Sequence, residues 1–231
     1  MRSLSLSSAF LRSEGGAPGP GHLSALGVSS YWWEPSPDLP LSEAVAQANT
    51  EPVDGLCYHG ASAQSRGGDP LASIKSELYQ FSKLGVKRVR FILGKYGVAQ
   101  SDDAYLKWAR DQLYELVDLA NGYQMDLVIP LGAGIVDSLE IAKALTNGRA
   151  KVSGLRWALT SHEHSESSLD PDLPIDFHIK LNAGGDLDPG WERLVSHYSA
   201  GDILLRPASV RQEIDENLIE DAIRKVQPWL S

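Results

Sequence analysis

Ile175-Asp-Phe-His-Ile-Lys-Leu-Asn-Ala-Gly-Gly185 alternates apolar and polar residues without a break and then meets a paired glycine. Successive side chains of a strand point to opposite faces, so Ile175, Phe177, Ile179 and Leu181 share one side while Asp176, His178, Lys180 and Asn182 share the other. A solvated edge reads this way, and so does one wall of a polar interior. The flanking sequence favours the wall, because similar short apolar runs recur along the chain and several are followed by helical patterns.

Eight runs bounded by Gly, Pro or Asp read as strands: Leu4 to Leu11, Leu26 to Trp32, Val53 to Tyr58, Arg88 to Leu93, Asp126 to Pro130, Gly154 to Thr160, Ile175 to Asn182 and Asp202 to Arg206. After the third, Asp69-Pro70 opens a helix in which Leu71, Ile74, Leu78, Phe81 and Leu84 recur at three- and four-residue spacing until Gly85. A longer helix follows the fourth, from about Asp102 to Asn121, with Leu106, Ala109, Leu113, Leu116, Val117 and Ala120 on one face. Shorter helices read from Ser138 to Asn147, Trp191 to Tyr198 and Glu216 to Trp229, whereas the joints Gly15 to Gly21 and Leu169 to Pro174 leave no room for a full one. Alternating strands and helices imply a parallel sheet with right-handed crossovers. The expected fold is α/β, a compact (β/α)8 TIM-like barrel with some reduced outer helices; an open parallel α/β sheet and a partial barrel are the alternatives. All 231 residues read as one domain, residues 1–231.

In such a barrel the bulky apolar set of each strand faces the helices and the other set faces the centre. Val89, Phe91 and Leu93 then point outward and leave Arg88 and Arg90 inside; Leu155, Trp157 and Leu159 leave Arg156, Ala158 and Thr160 inside, with His162 following. Arg206 ends the last strand. Buried charges must be paired, hydrated or used on a ligand. For Arg88 and Arg156 the counterions at hand are Asp54, Asp126, Asp176 and Asp202, all near strand starts. Lys180, Asn182, His162 and Arg206 lie nearer the carboxyl ends, where a small phosphate- or carboxylate-bearing molecule is the expected ligand.

An inward strand lysine can lose its proton easily in a dry interior and become a nucleophile toward a carbonyl. Gly184-Gly185 follow, and glycines let backbone amides approach an anion. Lys180-x-x-x-Gly-Gly resembles the lysine-then-glycines layout of class I aldolase barrels over some six residues, which implies a Schiff-base role for Lys180. A salt-bridged structural lysine is the competing reading.

Ser161-His-Glu-His-Ser-Glu166 places His162 and His164 two apart, a spacing that holds a metal on extended backbone, with His59 near the same mouth; an exposed polar loop has the same composition, and no metal is expected. Tyr31-Trp-Trp-Glu34 ends a strand, where Trp32 and Trp33 could stack on a sugar and Glu34 could work with Glu14 or Glu163, or the tryptophans could simply fill the core. Leu131-Gly-Ala-Gly134 reads as a turn or a minor phosphate contact. No Walker loop, dinucleotide fingerprint or nucleophile elbow is present.

The net charge of −9 and the lack of a basic run argue against nucleic acid and anionic membranes. No apolar run approaches the roughly 20 residues of a membrane span. The single cysteine, Cys57, rules out an intrachain disulfide and suits a cytoplasmic protein. The expectation is an enzyme of lyase or isomerase type acting on a small anionic carbonyl compound without a cofactor. Lys180, with His178 or His162, would be catalytic; Arg90, Asn182, Gly184, Gly185 and Arg206 would bind the anion. A carbohydrate-active barrel using Trp32 and Glu34, and a non-catalytic binding barrel, are the alternatives. Oligomeric state is not legible: Trp229 and Leu230 could dock on the barrel base or on another subunit.

Overall fold

A computed structural model of the chain describes residues 2–12, 20–34, 53–57, 72–92, 102–132, 139–146, 152–160, 173–198, 201–209 and 214–231. Eight strands form: β1 (Leu4–Ser7), β2 (Ser30–Trp33), β3 (Val53–Cys57), β4 (Arg88–Arg90), β5 (Asp126–Leu131), β6 (Leu155–Leu159), β7 (Ile175–Leu181) and β8 (Ile203–Pro207). Each pairs in parallel with the next, and β8 returns to β1 through Leu4 opposite Ile203 and Leu6 opposite Leu205. The sheet is therefore a closed barrel, and the open-sheet and partial-barrel alternatives fall away. The first two strands are shorter than expected. Leu11 belongs to a 3-10 turn (Ser8–Arg12), and Leu26 lies in the turn before β2, where Gly27 takes a φ of +81°.

Among the described residues the helices are α1 (Pro20–Ala25), α2 (Ala72–Lys83), α3 (Asp102–Gly122), α4 (Leu139–Leu145), α5 (Gly190–His197) and α6 (Glu216–Val226). Helix α1 has only six residues and begins at the end of the joint Gly15 to Gly21, of which residues 15–19 lie outside the described residues. Helix α2 stops as expected, with Gly85 at a φ of +69°. Helix α3 instead runs through Asn121-Gly122, and the left-handed residue after it is Gln124, with φ 60°. Asp215 caps α6 by accepting a hydrogen bond from the Asn217 backbone N–H at 2.9 Å. Among the described residues no helix is long and apolar enough to cross a membrane.

The wall separates two apolar clusters. Outside it, Leu6, Val89, Leu127, Trp157, Phe177 and Leu205 pack beneath Leu78, Leu113, Leu116, Leu194 and Ile223 of the helices. Inside it, Trp32, Val128, Ala158 and Leu204 form a small cluster of their own. Val89, Phe91, Leu155, Trp157 and Leu159, read as outward, thus lie in the outer cluster and Ala158, read as inward, in the inner one, whereas Leu93 lies outside the described residues. Trp229 and Leu230 pack on the outer cluster, and Arg2 donates to the Trp229 carbonyl at 2.5 Å, so the chain end docks on its own barrel.

Candidate functional site

The polar residues of the interior divide into two levels. At the amino ends, Arg156 makes a two-pronged bond to Asp176, Nε to Oδ2 at 2.8 Å and a terminal nitrogen to Oδ1 at 2.5 Å. Arg88 pairs with Asp202 at 2.5 Å, and Asp202 also accepts from the Ser3 backbone N–H at 2.9 Å. Burial alone would raise the Asp202 carboxyl, but Ser3 and Arg88 together hold it below its ordinary value. The Asp176 bond raises the already high value of Arg156, with Asp202 and Asp126 adding to it. This level is a structural ion network, the role anticipated for Arg88 and Arg156. The side chain of Asp54 lies outside the described residues.

At the carboxyl ends the charge balance reverses. Glu34, 0% exposed, follows β2 and turns inward, where its Oε1 accepts from Arg206 and its Oε2 accepts from the Ser7 hydroxyl at 2.7 Å. The Glu34 N–H in turn donates to Ser8 Oγ at 2.9 Å. Arg206, 5% exposed, keeps its Nε–H buried without a hydrogen-bond partner. Arg90 is also buried, and Lys180 stands exposed at the rim. The lysine's affinity for its proton is lowered by burial of its surroundings and then by Arg206 and Arg90, while Glu34 pulls the other way. Among the described residues, two guanidiniums and one ammonium from β4, β7 and β8 thus share a space with a single carboxylate.

His178 lies beneath them, 0% exposed, one position below Lys180 on the inward face of β7. Neither ring nitrogen has a hydrogen-bond partner. Burial, then Arg90, Arg206, Arg88 and Arg156, push its pKa well below 6.5, so the imidazole is neutral at neutral pH. Its ring meets Trp32 edge-on, with centroids 5.1 Å apart. Trp32 can lie across the barrel because residue 55 is glycine: a Cβ there would sit 2.3 Å from the indole. A register shift between Tyr31 and Trp32 sets Trp32 opposite Gly55.

Arg90, His178, Lys180, Arg206, Trp32 and Glu34 are therefore brought together in one interior. Other expected residues are not. Asn182 is exposed and closes a turn, its Oδ1 accepting from the Asp186 N–H at 3.0 Å and its carbonyl accepting from the Gly185 N–H at 3.0 Å. Gly185, at φ +72°, is glycine because a Cβ would come within 2.6 Å of Leu218 on α6; its amide serves the turn and not an anion. Gly184 is exposed beside the Asp186 carboxylate, a poor setting for an anion clamp. Trp33 points into the outer core, which corrects its assignment as a sugar-stacking face. His59, His162, Glu163, His164, Glu14 and Gly134 lie outside the described residues. Sequence reasoning missed Ser7 and Ser8. The signal was present in Leu4-Ser-Leu-Ser7, whose alternation turns Ser5 and Ser7 inward.

The sequence matches no protein-family model and no curated protein. Solved structures do match the fold. A zinc-binding protein named IOLI is 15% identical, with 99% of this chain and 98% of that one covered and a TM-score of 0.65. A D-allulose 3-epimerase from Methylomonas sp. is 11% identical, with coverage of 99% and 98% and a TM-score of 0.67. A probable 3-DHS dehydratase, AsbF from Bacillus anthracis, is 14% identical, with 99% of both chains covered and a TM-score of 0.61. At these identities the likeness, with TM-scores of 0.61 to 0.67, shows the fold alone, a TIM barrel.

Zinc in one neighbour raises the question of whether the residues here fit a divalent cation. Among the described residues they do not: no group of three His, Cys, Asp or Glu side chains comes together. Along the described strands the inward acids Asp126, Asp176 and Asp202 lie at the amino ends, and Glu34 alone lies at the mouth, already joined to Arg206.

Proposed function

We propose that this barrel is an enzyme of isomerase or lyase type that acts on a small anionic carbonyl compound held in its mouth. The observation that carries this reading is the convergence of Arg90, Lys180 and Arg206 on one interior where, among the described residues, Glu34 is the single carboxylate. Counting Arg90, Lys180 and Arg206 against Glu34 leaves an excess of positive charge, which a phosphate or carboxylate group would neutralise. Neighbours of the same fold include a D-psicose 3-epimerase, an L-ribulose 3-epimerase and a dehydratase, which support a sugar-like carbon skeleton and chemistry at a carbon next to a carbonyl.

In this reading the Arg90 and Arg206 guanidiniums and the Lys180 ammonium attract the anionic group and stabilise negative charge as it develops on the carbonyl oxygen. His178, kept neutral by burial and by the surrounding guanidiniums and with no hydrogen-bond partner on its ring, is placed to donate its N–H to that oxygen. Lys180, whose ammonium gives up its proton more readily than a free lysine, is the candidate amine for a covalent route. A glycosidase reading has less support, because Glu34 is fully buried and both its oxygens are engaged.

The test is proton NMR in D2O with a panel of sugar phosphates and sugar acids. Solvent deuterium should enter the carbon beside the carbonyl of an accepted substrate, and Lys180→Met and His178→Leu should each slow that exchange. A panel that shows neither exchange nor elimination, with binding indifferent to Arg90→Met, would overturn the proposal.

A further inference from the structure

We infer that Arg206, held by Glu34, which the Ser7 hydroxyl braces in turn, is the resident cation of this mouth, so that anion binding in this barrel needs no divalent metal. The inference rests on the anionic-ligand reading above and adds what supplies the positive charge. In a barrel that binds zinc, carboxylate and imidazole donors must be available to the ion. Here the only carboxylate at the carboxyl ends of the described strands has one oxygen on Arg206 and the other on the Ser7 hydroxyl. A metal would have to displace a buried guanidinium to reach it.

Among the described residues the nitrogen donor of this interior is His178, and it is ringed by guanidiniums. The field of Arg90, Arg206, Arg88 and Arg156 already resists adding one proton to that ring. A dication at the same place would meet that repulsion twice over. The opposite holds for an anion. Arg206 is fixed by its bond to Glu34 yet retains a buried Nε–H without a partner, and the exposed Lys180 ammonium stands beside it on the neighbouring strand, opposite in register. A guanidinium already held in place gives an anion a donor that does not have to be ordered on binding.

Protein purified without a histidine tag is analysed for metal content, titrated with inorganic phosphate with and without EDTA, and melted in the presence of zinc or manganese. The expected results are far less than one metal per chain, phosphate affinity unchanged by EDTA, and no rise in Tm with either metal. Arg206→Met should weaken phosphate by about tenfold or more, the loss of one charged hydrogen-bonding partner. It should also expose Glu34 to zinc, so that zinc now raises Tm; that gain should vanish in the Glu34→Gln/Arg206→Met double variant. If Arg206→Met does not fold, the double variant carries the phosphate titration, because it leaves no unpaired charge behind. One metal per chain in the parent protein, phosphate binding lost in EDTA, or full phosphate affinity without Arg206 would each overturn the inference. Binding only with metal would leave the proposed function standing, whereas no phosphate binding under any condition would overturn both.

Discussion

Exchanging His178 for leucine isolates the electrostatics of the barrel centre. The imidazole is fully buried, has no partner for either nitrogen and faces Arg88, Arg90, Arg156 and Arg206, all of which keep it neutral. In the unfolded chain it titrates near its ordinary value of about 6.5. The sign follows. Below that value the unfolded state binds a proton that the folded state refuses, so stability is fully present above about pH 6.5 and falls as the pH drops below it. Between pH 7.5 and 5.5 this single group costs roughly 1 kcal/mol, equivalent to a Tm shift of about 2 to 4 °C in a chain of this size. Denaturant unfolding of parent and His178→Leu at both pH values reads the difference, because other titrating groups contribute alike to the two proteins. At pH 7.5 the leucine should match or exceed the parent in stability, since it replaces unpaired polar atoms beside Trp32, Val128, Ala158 and Leu204. The same variant should lose activity, a trade found where a site stores destabilising groups. Equal pH dependence in parent and variant would show that His178 titrates normally in the fold, and the account of the barrel centre would fail.

Other outcomes follow from individual contacts. Gly55→Ala places a Cβ 2.3 Å from the Trp32 ring and should cost about 2 to 3 kcal/mol by denaturant titration, but little in a Trp32→Leu background. Asp176→Asn strips Arg156 of its two-pronged partner and should cost about 3 kcal/mol, whereas Arg156→Met/Asp176→Leu should lose less. Lys180→Met should leave stability within about 0.5 kcal/mol, because the residue is exposed, while phosphate affinity falls in a calorimetric titration. Borohydride treatment with an accepted carbonyl substrate should leave a reduced adduct on Lys180 by mass spectrometry if the amine route operates; unmodified Lys180 with a turned-over substrate would eliminate that route.

The chain announces most of its architecture locally. Alternation within β7 separates Phe177 from His178, and the same reading of β4 and β6 places Arg88, Arg90 and Arg156 inside, because a strand's period of two is a property of adjacent residues. Helical spacing likewise marks the buried faces of α2 and α3. Which charges meet is a different matter. Alternation places Glu34 and Arg206 inside, yet says nothing of their pairing across 172 residues, which requires β8 to close on β1 and β1 to sit beside β2. Only that closure brings Ser7 under Glu34, sets Trp32 over Gly55 and encloses His178 among four guanidiniums. It also assigns Asn182 and Gly185 to a turn against α6, where the sequence pattern had them contacting an anion. Local periodicity determined the wall and which side chains face its interior. The stagger of strands around the closed barrel, which no single segment encodes, decided which of those charges neutralise one another and which remain for a ligand.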